Sequence, residues 1–196
     1  MHADRKEAKR EHILDAAVLE IARSGYYKTT VSAIARRAGV ADGTIYLYFK
    51  NKEEILISIF DRAMGRFLGE GAEGLAGRPD ADAKLRGLVE LHLSVLGRDR
   101  DLAVIFQVEL RHSLHFLHIF SRSRMREYLA MIAAIVEQGQ NEGRFAAGVD
   151  PLFAAKAIFG ILDEMTTDWI LSSKNTRLES RAEPVAELLL RGLRPS

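Results

Sequence analysis

The 196-residue chain contains no cysteine, which excludes disulfides, thiolate nucleophiles and thiolate metal sites and accords with a reducing compartment. No uninterrupted apolar run approaches the roughly 20 residues that span a bilayer. The charged N-terminus also lacks the apolar core of a secretory signal. The expectation is a cytoplasmic protein without membrane contact. Net charge is nearly absent as well, at +1 from 28 Lys and Arg against 27 Asp and Glu. The balance is uneven along the chain. Residues 1–52 hold ten basic against six acidic side chains, and the remainder eighteen against twenty-one. Positive charge therefore gathers at one end, as phosphate neutralisation requires. A soluble face with chance asymmetry is the other reading of so small an excess. What is present is apolar bulk: 47% hydrophobic residues, enough for a real core in one large or two small domains. Neither a convincing strand nor a repeat is visible, so the expected class is all-α.

Residues 30–52, TVSAIARRAGVADGTIYLYFKNK, organise the rest. Val31, Ile34, Ala35 and Ala38 fall at i, i+3, i+4 and i+7, the apolar stripe of a helix whose other face carries Arg36 and Arg37. Thr30 is placed to cap it. Gly39 ends it where positive φ is tolerated, and Asp42 suits the start of the next helix through the dipole. Ile45 and Phe49 anchor that second helix inward. Gly43, Thr44, Tyr46, Leu47 and Tyr48 are left outward to differing degrees. Two short helices about a tight turn form a helix-turn-helix, whose second helix enters the DNA major groove. Gly43 permits close approach to base edges, Thr44 offers a hydroxyl and a methyl, and the Tyr46 and Tyr48 hydroxyls with Lys52 reach toward phosphates. A plain helical hairpin with half-buried tyrosines is the alternative.

The residues decide between them. IARRAGV at 34–40, GTIYLYF at 43–49 and KEEI at 52–55 closely resemble the DNA-binding signature of the TetR family of bacterial repressors. That resemblance implies a three-helix head, a larger helical body for ligand binding and dimerisation, and DNA contacts from Thr30, Gly43, Thr44, Tyr46, Leu47, Tyr48 and Lys52. The expected domains are residues 1–52 and 53–196.

Ahead of this motif, residues 1–10 form a charged lead-in expected to be disordered at first. A helix then places Ile13, Ala17 and Ile21 on one line and ends near Ser24 at Gly25. Tyr26 and Tyr27, in the following linker, read first as packing residues. Beyond the motif a helix from Lys52 runs through Ile55, Ile59 and Phe60 to about Phe67 or further. Gly69, Gly71, Gly74, Gly77 and Pro79 are expected to fray it or mark a boundary. Further helices are expected over roughly 81–96, 99–113, 122–140, 151–172 and 184–193. Asp150-Pro151 is a good helix start.

Two stretches of the body carry information. In FAAKAIFGILDEMTTDW at 153–169, Ala157 and Gly160 allow close approach while Ile161 and Trp169 supply area. Such a helix pairs with its twin or forms one subunit's core. A helix-turn-helix protein reading a palindrome needs two-fold symmetry, so a dimer interface through Ala157, Gly160, Ile161, Glu164 and Trp169 is expected, completed by the last helix. In residues 103–126, apolar residues including Phe106, Leu110, Phe116 and Phe120 are mixed with Arg111, Arg122, Arg124 and Arg126. This suits an amphiphilic anion, with its tail in the bundle and its phosphates at a basic rim; a core helix with a solvated basic face is the alternative.

The chain further resembles a narrower TetR group, the FadR-like, acyl-CoA-responsive repressors of fatty-acid degradation, through residues 39–60, FQVELR at 106–111 and IFGILDEMTTDWI at 158–170. By that resemblance the effector would be long-chain acyl-CoA, with a pocket drawn from Phe106, Gln107, Leu110, Arg111, Phe116, Phe120 and Arg122. A repressor of the same type sensing another hydrophobic drug or metabolite is the alternative. Enzyme readings find little support. Glu109 and His112 make one Glu-x-x-His, with His115 and His118 following, but di-iron bundles need two such pairs and two further glutamates. Asp163, Glu164 and Asp168 have no accompanying nucleophile or phosphate loop. No cofactor or metal is expected. The expected protein is a homodimeric repressor of double-stranded, palindromic operator DNA.

Overall fold

The structure, a computed structural model, describes residues 2–111, 116, 118, 124–173 and 176–195, with side chains from Arg5 onward. Those residues form α-helices joined by turns, with two 3₁₀ turns and no strand among them. The order is α1 (His2–Ser24), α2 (Val31–Arg37), α3 (Asp42–Tyr46), α4 (Lys52–Ala76), α5 (Ala81–Arg98), α6 (Arg100–Gln107), α7 (Arg124–Asn141), α8 (Pro151–Leu171) and α9 (Ala182–Leu193). The 3₁₀ turns are Glu109–Arg111 and Leu178–Arg181.

Local chemistry explains most boundaries. Side chains at the N-caps accept from orphan backbone donors: Thr30 from Ala33, Asn51 from Glu54, Asp80 from Ala83, Asp99 from Leu102 and Asp150 from Phe153. Pro151 opens α8 at a position whose N–H would be unsatisfied anyway. Gly25 and Gly39 take φ of +78° and +62° and turn the chain after α1 and α2. The charged lead-in, expected to be disordered, is helical from His2 as the first turns of α1.

The glycine run also departs from expectation, because α4 continues through Gly69, Gly71 and Gly74 and stops only at Gly77. Packing overrides propensity there. A Cβ at Gly71 would lie 3.2 Å from the end of Met131 and 3.3 Å from Leu91, so the missing side chain is what lets α5 and α7 close on α4.

The head is α1 to α3. Ile13, Leu14, Ala17 and Ile21 of α1 pack with Ile34, Ala35, Ile45 and Phe49, all buried. His12 Nε2 lies 3.0 Å from the Ala38 carbonyl, closing the end of α2. In the body, α5 touches α4, α6, α7, α8 and α9, and its Leu85, Leu88, Val89 and Leu93 form the centre of the core. The two parts share one hydrophobic cluster. Arg62 and Arg66 of α4 pair with Glu11 and Asp15 of α1, while α1 also packs on α6.

Candidate nucleic-acid interface and ligand cavity

The α2–α3 pair presents a compact outward face. Ser32 Oγ donates to the Asp42 carboxylate and ties the start of α2 to the start of α3. With Ile45 and Phe49 inside, Tyr46 is 58% and Leu47 74% exposed. Gly43 is exposed and Thr44 half-buried, while Tyr48 leans on the core. Thr30 is exposed and caps α2. Arg36 lies outward. Arg37 is engaged instead, its Nε 2.7 Å from buried Glu20, which also holds Arg23 at 2.6 Å. These bonds, Arg23 first and then Arg37, keep the Glu20 carboxyl below the usual carboxylate range. Of the two linker tyrosines only Tyr26 packs inside. Tyr27 is 66% exposed, its ring edge-on to Tyr26.

Lys52 is the correction in this group. Its Nζ donates to the carbonyls of Tyr26 at 2.7 Å and Thr29 at 2.8 Å, and sits 4.4 Å from the centre of the Tyr26 ring. Burial holds its amine below the ordinary lysine range. Carbonyls left unpaired by the turn after Gly25 draw the cation inward, so Lys52 closes the loop between α1 and α2 rather than facing outward toward phosphates.

That loop meets the body at Glu109. The helix expected over 99–113 ends as α6 at Gln107, and the following 3₁₀ turn carries Glu109 into the interior, where Oε2 accepts from the Tyr26 N–H at 2.8 Å. Phe116, expected in a ligand pocket, packs edge-on to Tyr26 with ring centres 5.2 Å apart. Glu109, Tyr26, Lys52 and Phe116 thus form the joint between head and body.

Beside the joint lies a cavity of about 260 Å³ between α4, α5, α6, α7 and α8. Its walls are mainly aromatic and aliphatic, including Phe60, Met64, Phe67, Leu96, Phe106, Leu110 and Phe159. Phe60 and Phe106 have ring centres 5.3 Å apart, Phe67 and Tyr128 4.9 Å. A polar edge is built by Asp163, which accepts from Gln107 at 3.0 Å and from Arg111 at 2.5 Å. Thr167 donates to the other end of Gln107. The expected residues Phe106, Gln107, Leu110 and Arg111 line the cavity together; Phe120 and Arg122 lie outside the described residues, as do His112 and His115. The sequence reading missed Phe67, His92, Tyr128 and Phe159. Their one signal is His92 itself, four residues from both Leu88 and Leu96 on an apolar face. Among the described residues no cluster of three or more His, Asp and Glu side chains suits a metal.

On the far side of α8, Phe153, Ala157, Gly160, Glu164 and Leu171 are exposed along one stripe, with Ile161 half-buried at its margin. Leu188 of α9 is exposed as well. Trp169 is not part of that face. It is 7% exposed, its Nε1 donates to the Thr176 carbonyl at 2.8 Å, and Arg100 stacks over its ring. Its position in the helix turns it into its own subunit, where the chain after α8 supplies the acceptor.

Comparison with known proteins supplies the decisive finding. Residues 13–59 match the bacterial regulatory proteins of the tetR family, and residues 60–192 match the C-terminal region of YsiA-like protein. The chain belongs to the TetR family. As a TetR-family chain it is a regulator rather than an enzyme. It is 40% identical over 188 residues to the fatty acid metabolism regulator protein of Bacillus subtilis, covering 96% of this chain and 97% of the other. The structure of the fatty acid degradation regulator FadR from Bacillus halodurans superposes with a TM-score of 0.90 at 41% identity, covering 96% and 97% of the two chains. FadR from B. subtilis, crystallised in complex with stearoyl-CoA, gives 0.89 at 39% identity, covering 94% and 99%. No helix among the described residues is long and apolar enough to cross a membrane.

Proposed function

We propose that this TetR-family chain is a cytoplasmic transcriptional repressor that binds palindromic operator DNA as a homodimer, is released by long-chain acyl-CoA, and controls genes of fatty-acid degradation. One observation carries the reading: an aromatic-walled cavity with an Arg and a Gln at its edge, in a body matching along nearly its whole length a regulator that holds stearoyl-CoA. The head of residues 1–52 is the DNA reader, with α3 in the major groove. Gly43 and Thr44 approach base edges, and Leu47 and the tyrosine hydroxyls meet thymine methyls and phosphates. The remaining residues, 53–196, bind effector and dimerise. The exposed stripe of Ala157, Gly160 and Glu164 on α8, with Leu188 of α9, pairs with its twin and sets the two α3 helices about 34 Å apart.

Release follows from the joint. Gln107 and Arg111 border the cavity, and Glu109, between them, holds the backbone of Tyr26 in the head. An acyl chain displacing these walls, with anionic phosphates competing with Asp163 for Arg111, shifts the 107–111 turn and with it the head. Effector and operator then prefer different head spacings, and only such differential affinity moves the equilibrium.

Footprinting on the DNA upstream of the chain's own gene tests this. The expected result is a two-fold symmetric protected segment that stearoyl-CoA abolishes and CoA or stearate alone leaves intact. Tyr46→Ala removes the protection while the protein stays folded. A footprint insensitive to stearoyl-CoA but erased by another hydrophobic metabolite transfers the reading to a repressor of different effector; normal protection by Tyr46→Ala refutes the assignment of α3.

A further inference from the structure

Away from the Asp163 edge, the cavity wall holds a second polar feature that a purely hydrocarbon ligand does not explain. His92 of α5 and Tyr128 of α7, both lining the cavity, are joined by a bond of 2.7 Å between Nδ1 and Oη. His92 is only 5% exposed. Its Nε2 is buried without a hydrogen-bond partner among the described residues. Phe67 and Phe159 flank the pair edge-on, with ring centres 4.9 to 6.3 Å away, so both rings are held in place.

A neutral imidazole and a phenol carry one N–H and one O–H. If Tyr128 donates to Nδ1, the surplus hydrogen sits on Nε2. If Nδ1 donates instead, both the Tyr128 hydroxyl hydrogen and the Nε2 lone pair lack partners. The first arrangement leaves fewer buried groups unsatisfied. Burial pushes the His92 pKa down to about 4 and raises that of Tyr128, so the pair is uncharged at neutral pH. A neutral donor in an apolar wall suits a neutral oxygen acceptor and is poorly suited to a carboxylate or phosphate, whose counter-charge is absent there.

We propose that the His92–Tyr128 pair is a specificity-determining element of the effector cavity, donating from Nε2 to a neutral oxygen on the acyl part of the ligand. That oxygen is either the thioester carbonyl or a hydroxyl carried by the chain. The proposal rests on the acyl-CoA reading and adds to it that the cavity reads oxygen as well as chain length.

Isothermal titration of the full-length protein with stearoyl-CoA, its S-octadecyl thioether analogue and 3-hydroxystearoyl-CoA separates the sources. If the thioester is read, stearoyl-CoA binds at least about ten-fold tighter than the thioether. If a chain hydroxyl is read, 3-hydroxystearoyl-CoA exceeds stearoyl-CoA by a similar factor. In either case His92→Leu brings the ratio to within about two-fold. Histidine-selective ¹⁵N NMR of the unmutated protein provides a readout independent of that variant's folding: the His92 Nε2 resonance shifts with the preferred ligand and not with the analogue lacking its oxygen. Equal binding of all three ligands, or a preference that persists in His92→Leu, overturns the proposal alone. No binding of any of them overturns the acyl-CoA reading and the pair's role together.

Discussion

Lys52, the first residue of α4, closes the loop between α1 and α2 from within the head. It stands where the resembled signature has its lysine, at the start of the helix that follows the recognition helix, and a cation there reads naturally as a phosphate contact. The structure gives it the carbonyls of Tyr26, Tyr27 and Thr29 and an aromatic face of the head instead. Lys52→Met is therefore expected to destabilise the protein by about 2 kcal/mol in urea melts, since charge-assisted bonds are lost and buried carbonyls are orphaned. An unchanged melt with a salt dependence of operator binding shallower by about one ion would mean that the lysine faces DNA after all. His92 supports a second prediction at this scale. Its folded pKa of about 4 lies below the unfolded value near 6.5, so the unfolded chain takes up a proton first as pH falls. Stability is intact above pH 6.5, declines between pH 6.5 and 4 by about 3 kcal/mol on this account, and loses nothing more from this group below that. His92→Leu flattens the part of the curve between pH 6.5 and 5, before carboxylates protonate, and a curve of unchanged slope there would exclude His92 as its source.

Among the elements, the head was legible because its signals are local. Stripe spacing, the Thr30 cap and the positive φ of Gly39 each need only neighbouring residues; α2 appears where those signals put it, and α3 starts at Asp42 as expected but ends at Tyr46, so that Phe49 anchors the turn after the helix rather than the helix itself. The body hid what depends on distant partners. The glycines of α4 suggested a break, which the approach of Met131 and Leu91 to Gly71 overrides. Conversely, residues 99–113 contain no glycine or proline, yet α6 stops at Gln107. A carboxylate 83 positions away from its backbone donor draws the next turn inward, and no window of sequence contains both. The cavity was half legible for the same reason: residues 106–111 are contiguous, but Phe67, His92, Tyr128 and Phe159 come from four helices. If the Glu109 turn transmits the effector's presence, Glu109→Gln keeps stearoyl-CoA binding within about three-fold while reducing the effector's shift in operator affinity by about ten-fold or more, as anisotropy would show. Equal reductions in both would make Glu109 part of the ligand site rather than the joint.

For the whole molecule, the two activities have to be joined across a dimer. The stripe on α8 is exposed in the single chain, and a Cβ added at Gly160 meets nothing within 4 Å. Gly160→Arg should thus leave each subunit folded, place like charges at the two-fold axis, and yield monomers in sedimentation with operator affinity reduced at least about a hundred-fold. A dimer that survives this change has its interface elsewhere. The shared core and the Arg62 and Arg66 pairs to α1 make the head a firm extension of α4, so a shift in the body reaches α3 as a displacement. Release of operator by acyl-CoA requires the two sites to be coupled through this structure, and coupling between binding sites is reciprocal. The most direct measurement is the affinity of the full-length protein for stearoyl-CoA in the absence and presence of saturating operator DNA. Operator is expected to weaken stearoyl-CoA binding by the same factor by which stearoyl-CoA weakens operator binding; an affinity for stearoyl-CoA that ignores bound operator would rule the coupling out.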